Sequence, residues 1–278
     1  MRTLIVAGAV ALSIGLVRAD VEDQNTAQRT FQMASGPRKL IVDNVNGKVD
    51  VTGYTGNTVE VTVRERWHAD SSEKLAEAKR DIKLDMTQEG NTVKLYVDGP
   101  FRCQDGCVHM HGRRGYDFNF DFTVHVPQDA VLDVKTVNGG PLRVENSTAD
   151  FKVANVNGGI ELKNMAGSGS VNSVNGAVKA SFTAVPREPC TFRSVNGSID
   201  VQVPPSFGGD VQFKTLNGSL YTDFDAVRLA SMSEPGTREG MKYVYRHGGT
   251  TKVRLGNGGP EHHFETVNGN ITISKIGQ

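Results

Sequence analysis

The residues with the greatest chemical potential are two cysteines and two histidines that lie close together. Cys103, Cys107, His109 and His111 form a C-x3-C-x-H-x-H pattern, which puts four soft ligands within nine residues. Thiolates and imidazoles can hold zinc or copper. In an oxidising compartment the two cysteines would form a disulfide instead. The spacing does not match a standard zinc finger, so we predict a Cys103–Cys107 disulfide and no cofactor, with a metal site on this loop as the alternative.

Other patterns that suggest chemistry lack the residues that a known site requires. Asp117, Asn119 and Asp121 alternate like the start of a calcium loop, but the glycine and glutamate that complete such a loop are missing. The sequence also contains no Gly-x-Ser-x-Gly nucleophile elbow. We interpret Cys190, the third cysteine, as a small apolar residue inside the fold. We therefore assign no catalytic residues and predict that the protein is not an enzyme.

The first residues indicate a secretory signal peptide at 1–19. Arg2 supplies a positive start, Leu4 to Val17 is an apolar stretch of 14 residues, and Val17-Arg18-Ala19 fits a cleavage site. An uncleaved anchor helix is the alternative, but the stretch is shorter than the roughly 18 residues that a spanning helix needs. We expect an exported protein, periplasmic or extracellular, without a membrane span in the mature chain.

The charge balance argues against nucleic acid as a partner. The chain has 31 Lys and Arg against 31 Asp and Glu, and loss of the signal peptide leaves 29 against 31. Proteins that bind phosphate backbones carry a basic excess on the binding face. We therefore expect no nucleic-acid partner.

A short repeat dominates the rest of the chain. Val-Asn-Gly or Leu-Asn-Gly occurs seven times, first at Asn46, and the central asparagines are 19, 18, 21 and 21 residues apart. A near-constant period of this length is typical of a solenoid, in which each repeat is one coil stacked on the last. Asparagines stacked in this way can donate and accept amide hydrogen bonds between coils. The predicted structural ladder consists of Asn138, Asn157, Asn175, Asn196, Asn217 and Asn268.

The repeat predicts an all-β fold, a right-handed parallel β-helix of about 20-residue coils with one short helix near its N-terminal part. At about 3.3 Å per residue, such a coil is long enough for three short sheets around a packed interior. Connections between parallel strands strongly favour the right hand. We attribute the Asn-Gly pair to corners that need positive φ, which both residues tolerate.

The direction in which the motif side chains point is left open by the pattern. The residue four positions before each asparagine is apolar, and strict alternation from it puts Asn inside and the preceding Val or Leu outside. A kink at the corner would instead turn Val inward. We favour Asn inside, with an exposed aliphatic stripe as a hypothetical contact surface. The stripe would consist of Val137, Val156, Val174, Val195 and Leu216.

Four segments flank or interrupt the repeat of the predicted single β-solenoid domain, residues 39–276. Polar composition without periodicity indicates a leader, and Asp70 followed three residues later by Glu73 is typical of a helix start. Breaks in the repeat indicate a loop and an insertion that projects from one coil. The segments are a flexible leader at 20–38, a helix at about 71–81, a loop at 98–116 and an insertion at about 221–250.

Several stretches follow the sequence pattern of one known family. They are Leu40 to Gly47, the predicted helix, Val124 to Pro127, the Val-Asn-Gly repeats and the ending Glu265 to Ile273. Together, over about residues 40–276, they resemble the bacterial "putative adhesin" domain family of unknown function. The resemblance implies an exported cell-envelope β-solenoid and supplies no catalytic residues. The Cys/His loop is not part of this pattern.

Three functional hypotheses follow. The first is a non-enzymatic envelope or adhesion module that binds a glycan or protein through a flat face. The second is a polysaccharide-active β-helix enzyme, and the third is a periplasmic metal-handling protein that uses residues 103–111. We favour the first, because the repeat positions are devoted to structure. The enzyme would need clustered carboxylates, whereas the outward positions form a mostly basic column. This column would either meet an acidic glycan or keep the face soluble, and an envelope protein is the other candidate partner. The column consists of Lys135, Lys152, Asn172, Arg193 and Lys214.

Overall fold

The computed structural model describes residues 20–103, 108, 115–230, 237–239, 242–246 and 249–277. The predicted signal peptide lies outside this part of the chain, and so do Cys107, His109 and His111. Within the described ranges, no helix is long and apolar enough to cross a lipid bilayer.

The described residues form strands almost throughout, with one α-helix, α1 (Ser72–Asp81), so the prediction of an all-β fold is confirmed. The strands of the first part are β1 (Val21–Gln32), β2 (Lys39–Asp43), β3 (Val49–Tyr54), β4 (Thr58–Ala69), β5 (Lys83–Glu89), β6 (Thr92–Asp98) and β7 (Tyr116–Pro127). The central strands are β8 (Val131–Asn138), β9 (Leu142–Glu145), β10 (Phe151–Asn157), β11 (Ile160–Met165), β12 (Gly169–Asn175), β13 (Val178–Phe182), β14 (Thr191–Asn196) and β15 (Ile199–Val203). The last strands are β16 (Gly209–Asn217), β17 (Ser219–Thr222), β18 (Ala226–Ala230), β19 (Thr237–Glu239), β20 (Lys242–Arg246), β21 (Gly249–Leu255), β22 (Glu261–Asn268) and β23 (Ile271–Lys275).

The strands belong to two large sheets, and each repeat contributes one strand to each sheet. The first sheet has the order β1-β4-β7-β3-β9-β11-β13-β15-β23-β17-β20-β19. The second sheet has the order β18-β21-β16-β22-β14-β12-β10-β8-β2-β6-β5. Since the two orders match repeat by repeat, the chain forms a stack of two-strand layers.

The central layers pair in parallel and in register. Asn157 of β10 pairs with Asn138 of β8 on one side and with Asn175 of β12 on the other. The three partner strands β9, β11 and β13 repeat this arrangement in the first sheet. Register therefore aligns equivalent positions of successive repeats, about 4.8 Å apart.

The sheets are mixed rather than uniformly parallel, and they number two rather than the three that coil length suggested. Antiparallel strands close the stack, with β4 against β1 and β7 at one end. At the other end, β21 pairs antiparallel with β16 and β18, and β20 pairs antiparallel with β17. These strands, which include the described part of the insertion at 221–250, cover layers that would otherwise present open edges.

The layer order does not follow the chain at the C-terminal end. β22, the strand that carries the last motif, lies between β14 and β16. The final repeat is therefore inserted between two earlier ones. Because β22 lies on the far side of β16 from the end of the stack, a long segment must connect β17 to β22. This segment contains β18 to β21.

Aromatic and aliphatic side chains fill the space between the two sheets. The apolar residue four positions before each asparagine points inward, and among these Phe192 and Phe264 stack with ring centroids 5.0 Å apart. The first sheet contributes aliphatic side chains that face these residues across the core and are fully buried. They include Ile160, Val178 and Ile199. Equivalent residues thus lie above one another in a continuous core.

The N-terminal part differs from the sequence prediction. Val21–Gln32 forms β1, which pairs with β4 along its full length, so the prediction of a flexible leader is wrong there. Its composition is polar because β1 is an edge strand whose side chains are mostly exposed. Helix α1 begins one residue later than predicted, with the Ser71 side chain accepting from the Lys74 amide, and it contacts β4 and β7.

Candidate interaction surface

An asparagine ladder runs along one edge of the second sheet, where the strands of successive repeats end. Asn46 begins the ladder as an acceptor, and each later motif asparagine donates its side-chain Nδ2–H to the Oδ1 of the asparagine in the preceding layer, with distances of 2.7–3.0 Å. The ladder follows the layers rather than the chain. Its order is Asn46, Asn138, Asn157, Asn175, Asn196, Asn268 and Asn217.

In five of the seven motif copies, the residue two positions before the asparagine has a small hydroxyl side chain. These side chains are buried, and they donate to the carbonyl of the motif glycine in the neighbouring layer at 3.0–3.4 Å. Such carbonyls lie at the corner, where a buried acceptor without a partner would be costly. The residues are Thr136, Ser173, Ser194, Thr215 and Thr266.

Every motif glycine lies close to the backbone of a neighbouring layer, and positive φ is an additional requirement at some of them only. A Cβ on Gly176 or Gly197 would lie within 2.3 Å of the glycine carbonyl oxygen of the adjacent layer. The non-glycine residues with positive φ in the described chain are Asn146 and Asn164, neither of which belongs to the motif. Positive φ occurs at the motif glycines Gly47, Gly158 and Gly269, so our attribution of the Asn-Gly pair to positive φ holds for these three glycines and is wrong for the asparagines and the other motif glycines.

Beside the ladder lies a row of aliphatic side chains, which we name the corner stripe. Val156, Val174, Val195 and Leu216 are 37, 39, 40 and 65 % exposed. Layer order adds Val267, which is partly exposed, between Val195 and Leu216. Six residues at about 4.8 Å spacing make a stripe about 24 Å long. It comprises Val137, Val156, Val174, Val195, Val267 and Leu216.

Both motif side chains point outward, which the sequence did not predict. Asn157, Asn175 and Asn196 are exposed together with the valines that precede them. Alternation ends at the corner, since the paired positions skip the valine and pass directly to the asparagine. The exposed stripe that was a hypothesis from the sequence is present, whereas our placement of Asn inside is wrong.

The predicted basic column is not a single row in the structure. Lys152 pairs with Asp133 and Ser170, whereas Lys135 lies beside Ala154. The row next to the corner therefore runs Lys135, Ala154, Asn172, Arg193, Glu265 and Lys214.

The cations of this row have acidic partners. Glu265 lies 3.4 Å from Arg193 and 3.2 Å from Lys214, and Asp43 lies 2.8 Å from Lys135. Solvent-exposed pairs of this kind contribute little stability, but they neutralise the local charge. The three cations share two carboxylates, so the pairing reduces the positive charge available to attract an acidic glycan.

The Cys/His segment lies mostly outside the described residues. Cys103 is disulfide-bonded, which removes its sulfur as a thiolate ligand. Its predicted pairing with Cys107 stays a prediction, as does the metal alternative with His109 and His111. Within the described part of the chain, no group of three or more His, Cys, Asp or Glu side chains is arranged to hold a metal ion.

Asp121, the last residue of the alternating pattern on β7, takes part in ion pairing. Asp121 accepts from Arg66 at 2.6 Å and from the Lys48 amide at 3.1 Å, and Asn119 also accepts from Arg66. Arg66 lies on the adjacent antiparallel strand β4. These contacts give the acidic pattern a structural role.

Cys190 and His262 form a buried polar contact that sequence reasoning missed. The Cys190 amide donates to His262 Nδ1 at 3.1 Å, and the side chains are 1 and 2 % exposed. Burial lowers the pKa of His262 to about 4 and raises the pKa of the Cys190 thiol. The imidazole is therefore neutral at physiological pH, and the thiol is protected rather than reactive.

A cleft of about 540 Å³ opens at the end of the stack between β1 and β5. Its apolar wall includes Trp67 and Phe120, whose rings meet edge to face at 5.4 Å. Lys79 and Asp23 form an ion pair at its rim. Sequence reasoning missed this cleft, because the cleft exists only when the predicted leader is folded as β1.

Comparisons with known proteins find remote structural similarity. No protein-family model matches the chain, and no curated protein matches it. A putative cell adhesion protein from Clostridium sporogenes is 12 % identical, with a TM-score of 0.43 over 90 % of this chain and 100 % of that one. A putative adhesin from Bacteroides fragilis is 11 % identical, with a TM-score of 0.25 over 91 % and 97 % of the two chains.

A third solved structure carries a different description. It is a putative lipid binding protein from Parabacteroides distasonis, 9 % identical, with a TM-score of 0.29 over 91 % of this chain and 97 % of its own. With TM-scores below 0.5, these similarities do not establish a common fold. The family resemblance drawn from the repeat therefore stays a prediction.

Loss of one rung should weaken the stack measurably. Asn175 both donates to Asn157 and accepts from Asn196, each at 2.9 Å. We expect Asn175→Ala to lower the free energy of unfolding by about 1–2 kcal/mol, since two exposed hydrogen bonds are lost. Chemical denaturation followed by circular dichroism measures this change.

Asn217→Ala is the matched control. Asn217 ends the ladder and makes one ladder hydrogen bond, from its Nδ2 to Asn268. Its effect should be about half as large. Equal effects of the two variants would show that the ladder bonds do not contribute additively.

Proposed function

We propose that this protein is an exported, non-enzymatic binding module of the cell envelope and that the corner stripe is its contact surface for a protein partner. The observation that carries the proposal is the row of exposed aliphatic side chains in register beside the asparagine ladder. Single exposed apolar residues are ordinary, whereas a contiguous row is typical of a contact surface.

The architecture suits such a surface. The ladder and the interlayer backbone bonds hold neighbouring corners at constant spacing, so the stripe is organised before a partner arrives. Preorganisation reduces the entropy lost on binding. As part of the proposal, the parallel layers wind as a right-handed coil, the hand that parallel connections favour.

The chemistry of the surface favours a protein over an acidic glycan. The cations beside the stripe are paired with Asp43 and Glu265. The large hydrophobic side chains that are exposed in the described chain are all aliphatic, and sugar rings usually stack on aromatic ones. An aliphatic row instead complements apolar side chains of a protein.

Carboxylates on the opposite sheet support a non-enzymatic role. Arg143 and Lys163 hydrogen-bond to Glu161 and lower the pKa of its carboxyl. A general acid in polysaccharide cleavage needs a raised pKa. The charges of this face, which include Asp50 beside Arg143, are thus arranged as a structural network.

Binding assays with two pairs of charge variants test the proposal. The probes are an immobilised envelope-protein fraction of the source cell and an array of envelope and host glycans. We expect the double variant Val156→Glu, Val174→Glu to lose about tenfold or more in binding to the protein fraction, because it places charge in the apolar contact. Lys152→Glu with Lys214→Glu should leave that binding in place.

Val131→Glu is the matched control, since Val131 is 40 % exposed but lies at the start of β8, away from the corner. It should bind like the wild type. Saturable glycan binding that is lost in the lysine variant and kept in the valine variant would contradict the proposal and favour an acidic glycan. Each variant must have the same melting temperature as the wild type, so that a loss of binding is not caused by unfolding.

A further inference from the structure

We infer that Asn217-Gly218 is a site of spontaneous deamidation, and that the asparagine ladder protects the interior Asn-Gly pairs of the repeat from the same reaction. Asn-Gly is the dipeptide most prone to this chemistry, because glycine leaves its own backbone nitrogen unhindered. The chain carries seven motif copies, and each contains the dipeptide that is susceptible to this reaction.

The reaction requires a free amide nitrogen and a free side-chain amide. The Gly218 nitrogen gives its proton to solvent base and attacks Cγ of Asn217. A C–N bond forms, the bond from Cγ to Nδ2 breaks, and ammonia leaves to give a cyclic succinimide. Water then adds to either carbonyl of the ring and opens it to aspartate or isoaspartate. The step consumes one water, releases one ammonia and involves no oxidation.

Interior copies hold both reacting groups in hydrogen bonds. The Gly176 amide donates to the Asn196 carbonyl at 3.0 Å, and the Asn175 side chain both donates and accepts within the ladder. The Gly158, Gly197 and Gly269 amides donate in the same way at 2.9–3.0 Å. Attack would require at least two of these bonds to open together, and such local opening limits the rate.

Among the described residues, Asn217 keeps only one of these hydrogen bonds, because it is the last rung. Its Nδ2 donates to Asn268 at 2.8 Å, but its Oδ1 accepts from no described residue. The Gly218 amide likewise donates to no described residue, and the described pairing of the next strand, the antiparallel β21, ends at Thr215 and Gly249. The adjacent Leu216 is 65 % exposed, so water reaches this corner.

Two other Asn-Gly pairs separate the contribution of the glycine amide from that of the asparagine side chain. The Gly139 amide also lacks a hydrogen-bond partner among the described residues, but the Asn138 side chain is held by Asn46 and Asn157. Asn257-Gly258 lies outside the ladder in an exposed turn, where the Gly258 amide donates to Leu255 at 3.2 Å. It serves as a reference for an Asn-Gly pair without ladder bonds.

Deamidation at this position would alter the proposed contact surface. Either product places a carboxylate beside Leu216 and removes the Nδ2–H that Asn268 accepts. Isoaspartate also adds a methylene to the main chain between β16 and β17. The inference itself rests on hydrogen-bond geometry and does not depend on the proposed function.

Peptide mapping of the folded mature chain tests the inference. The purified protein is incubated in mildly alkaline buffer, digested, and each Asn-Gly peptide is followed by mass spectrometry for the replacement of NH2 by OH. We expect Asn217 to react about tenfold or more faster than Asn175 and Asn196, because each protecting hydrogen bond must open first. A parallel sample kept in denaturant should show similar rates at all repeat copies.

The outcomes are distinguishable. Fast reaction at Asn217 in the folded chain, with equal rates in the denatured chain, supports control by the ladder. Similar rates at Asn217 and Asn175 in the folded chain would overturn the inference. Fast reaction at Asn138 as well would show that the free glycine amide alone decides the rate, and would overturn the protective role of the side-chain bonds.

Discussion

Replacement of Gly176 by alanine is expected to destabilise the protein by about 3 kcal/mol, the upper part of the range for overpacking. An ideal Cβ at this position would lie 2.3 Å from the Gly158 carbonyl oxygen and 2.4 Å from its carbonyl carbon. Both are backbone atoms of the adjacent layer, which is tied to this one by the bond from the Gly158 amide to Asn175. The layers would have to separate to admit the methyl group.

Gly140→Ala is the matched control for this prediction. The nearest atom to a Cβ there is 3.8 Å away, and the residue equivalent to Gly140 and Gly159 in the next repeat is already Ala177. We expect a change within about 0.5 kcal/mol. Equilibrium unfolding in denaturant measures both variants, and a Gly176→Ala midpoint equal to the wild type would refute the close approach of the layers.

Acidification should remove about 3 kcal/mol of stability through His262 alone. Its pKa is about 4 in the folded protein, lowered chiefly by burial and also by His263, against an ordinary value of 6.5. Between these values the unfolded chain binds a proton that the folded chain does not. The contribution is therefore complete above pH 6.5 and is lost as the pH falls towards 4.

The structural reason is that protonation would disrupt a buried contact. His262 Nδ1 accepts from the Cys190 amide, and the ring packs against Phe207 with centroids 5.4 Å apart. A charged imidazole would lose this acceptor and would have no compensating partner among the described residues for Nε2. Charge in such surroundings is costly.

Unfolding free energies measured across this pH range check the prediction. His262→Gln keeps a hydrogen-bond acceptor but does not titrate, so its stability should vary less with pH than that of the wild type. His263→Gln, one residue along and more exposed, should retain most of the wild-type dependence, because burial is the larger cause of the lowered His262 pKa. Identical pH profiles for the wild type and His262→Gln would refute the assignment.

Much of the architecture could be predicted because the repeat is a local signal. Because the repeat length is nearly constant, each repeat adds one layer and equivalent residues lie above one another. The strands, the stacked asparagines and the aliphatic row therefore follow from the spacing alone. The resulting β-strand content and the exposed stripe at Val156 and Val174 agree with the structure. The helix start near Ser71 was predictable because capping depends on neighbouring residues.

Other features depend on pairing between distant segments, which a single sequence does not encode in its spacing. Lys152 lies in a different row from Lys135 because register is set by long-range pairing, and one residue of slip changes every neighbour. Burial of His262 follows from insertion of β22 between β14 and β16.

The repeat by itself determined that the chain is all-β and that its motif residues stack, since both follow from interactions within and between equivalent short segments. The tertiary structure alone decided the order of the layers, the outward direction of Asn at the corner, and the conversion of the polar N-terminal segment into β1. The physical reason is that corners, edges and layer order are set by which distant strands supply the missing hydrogen-bond partners.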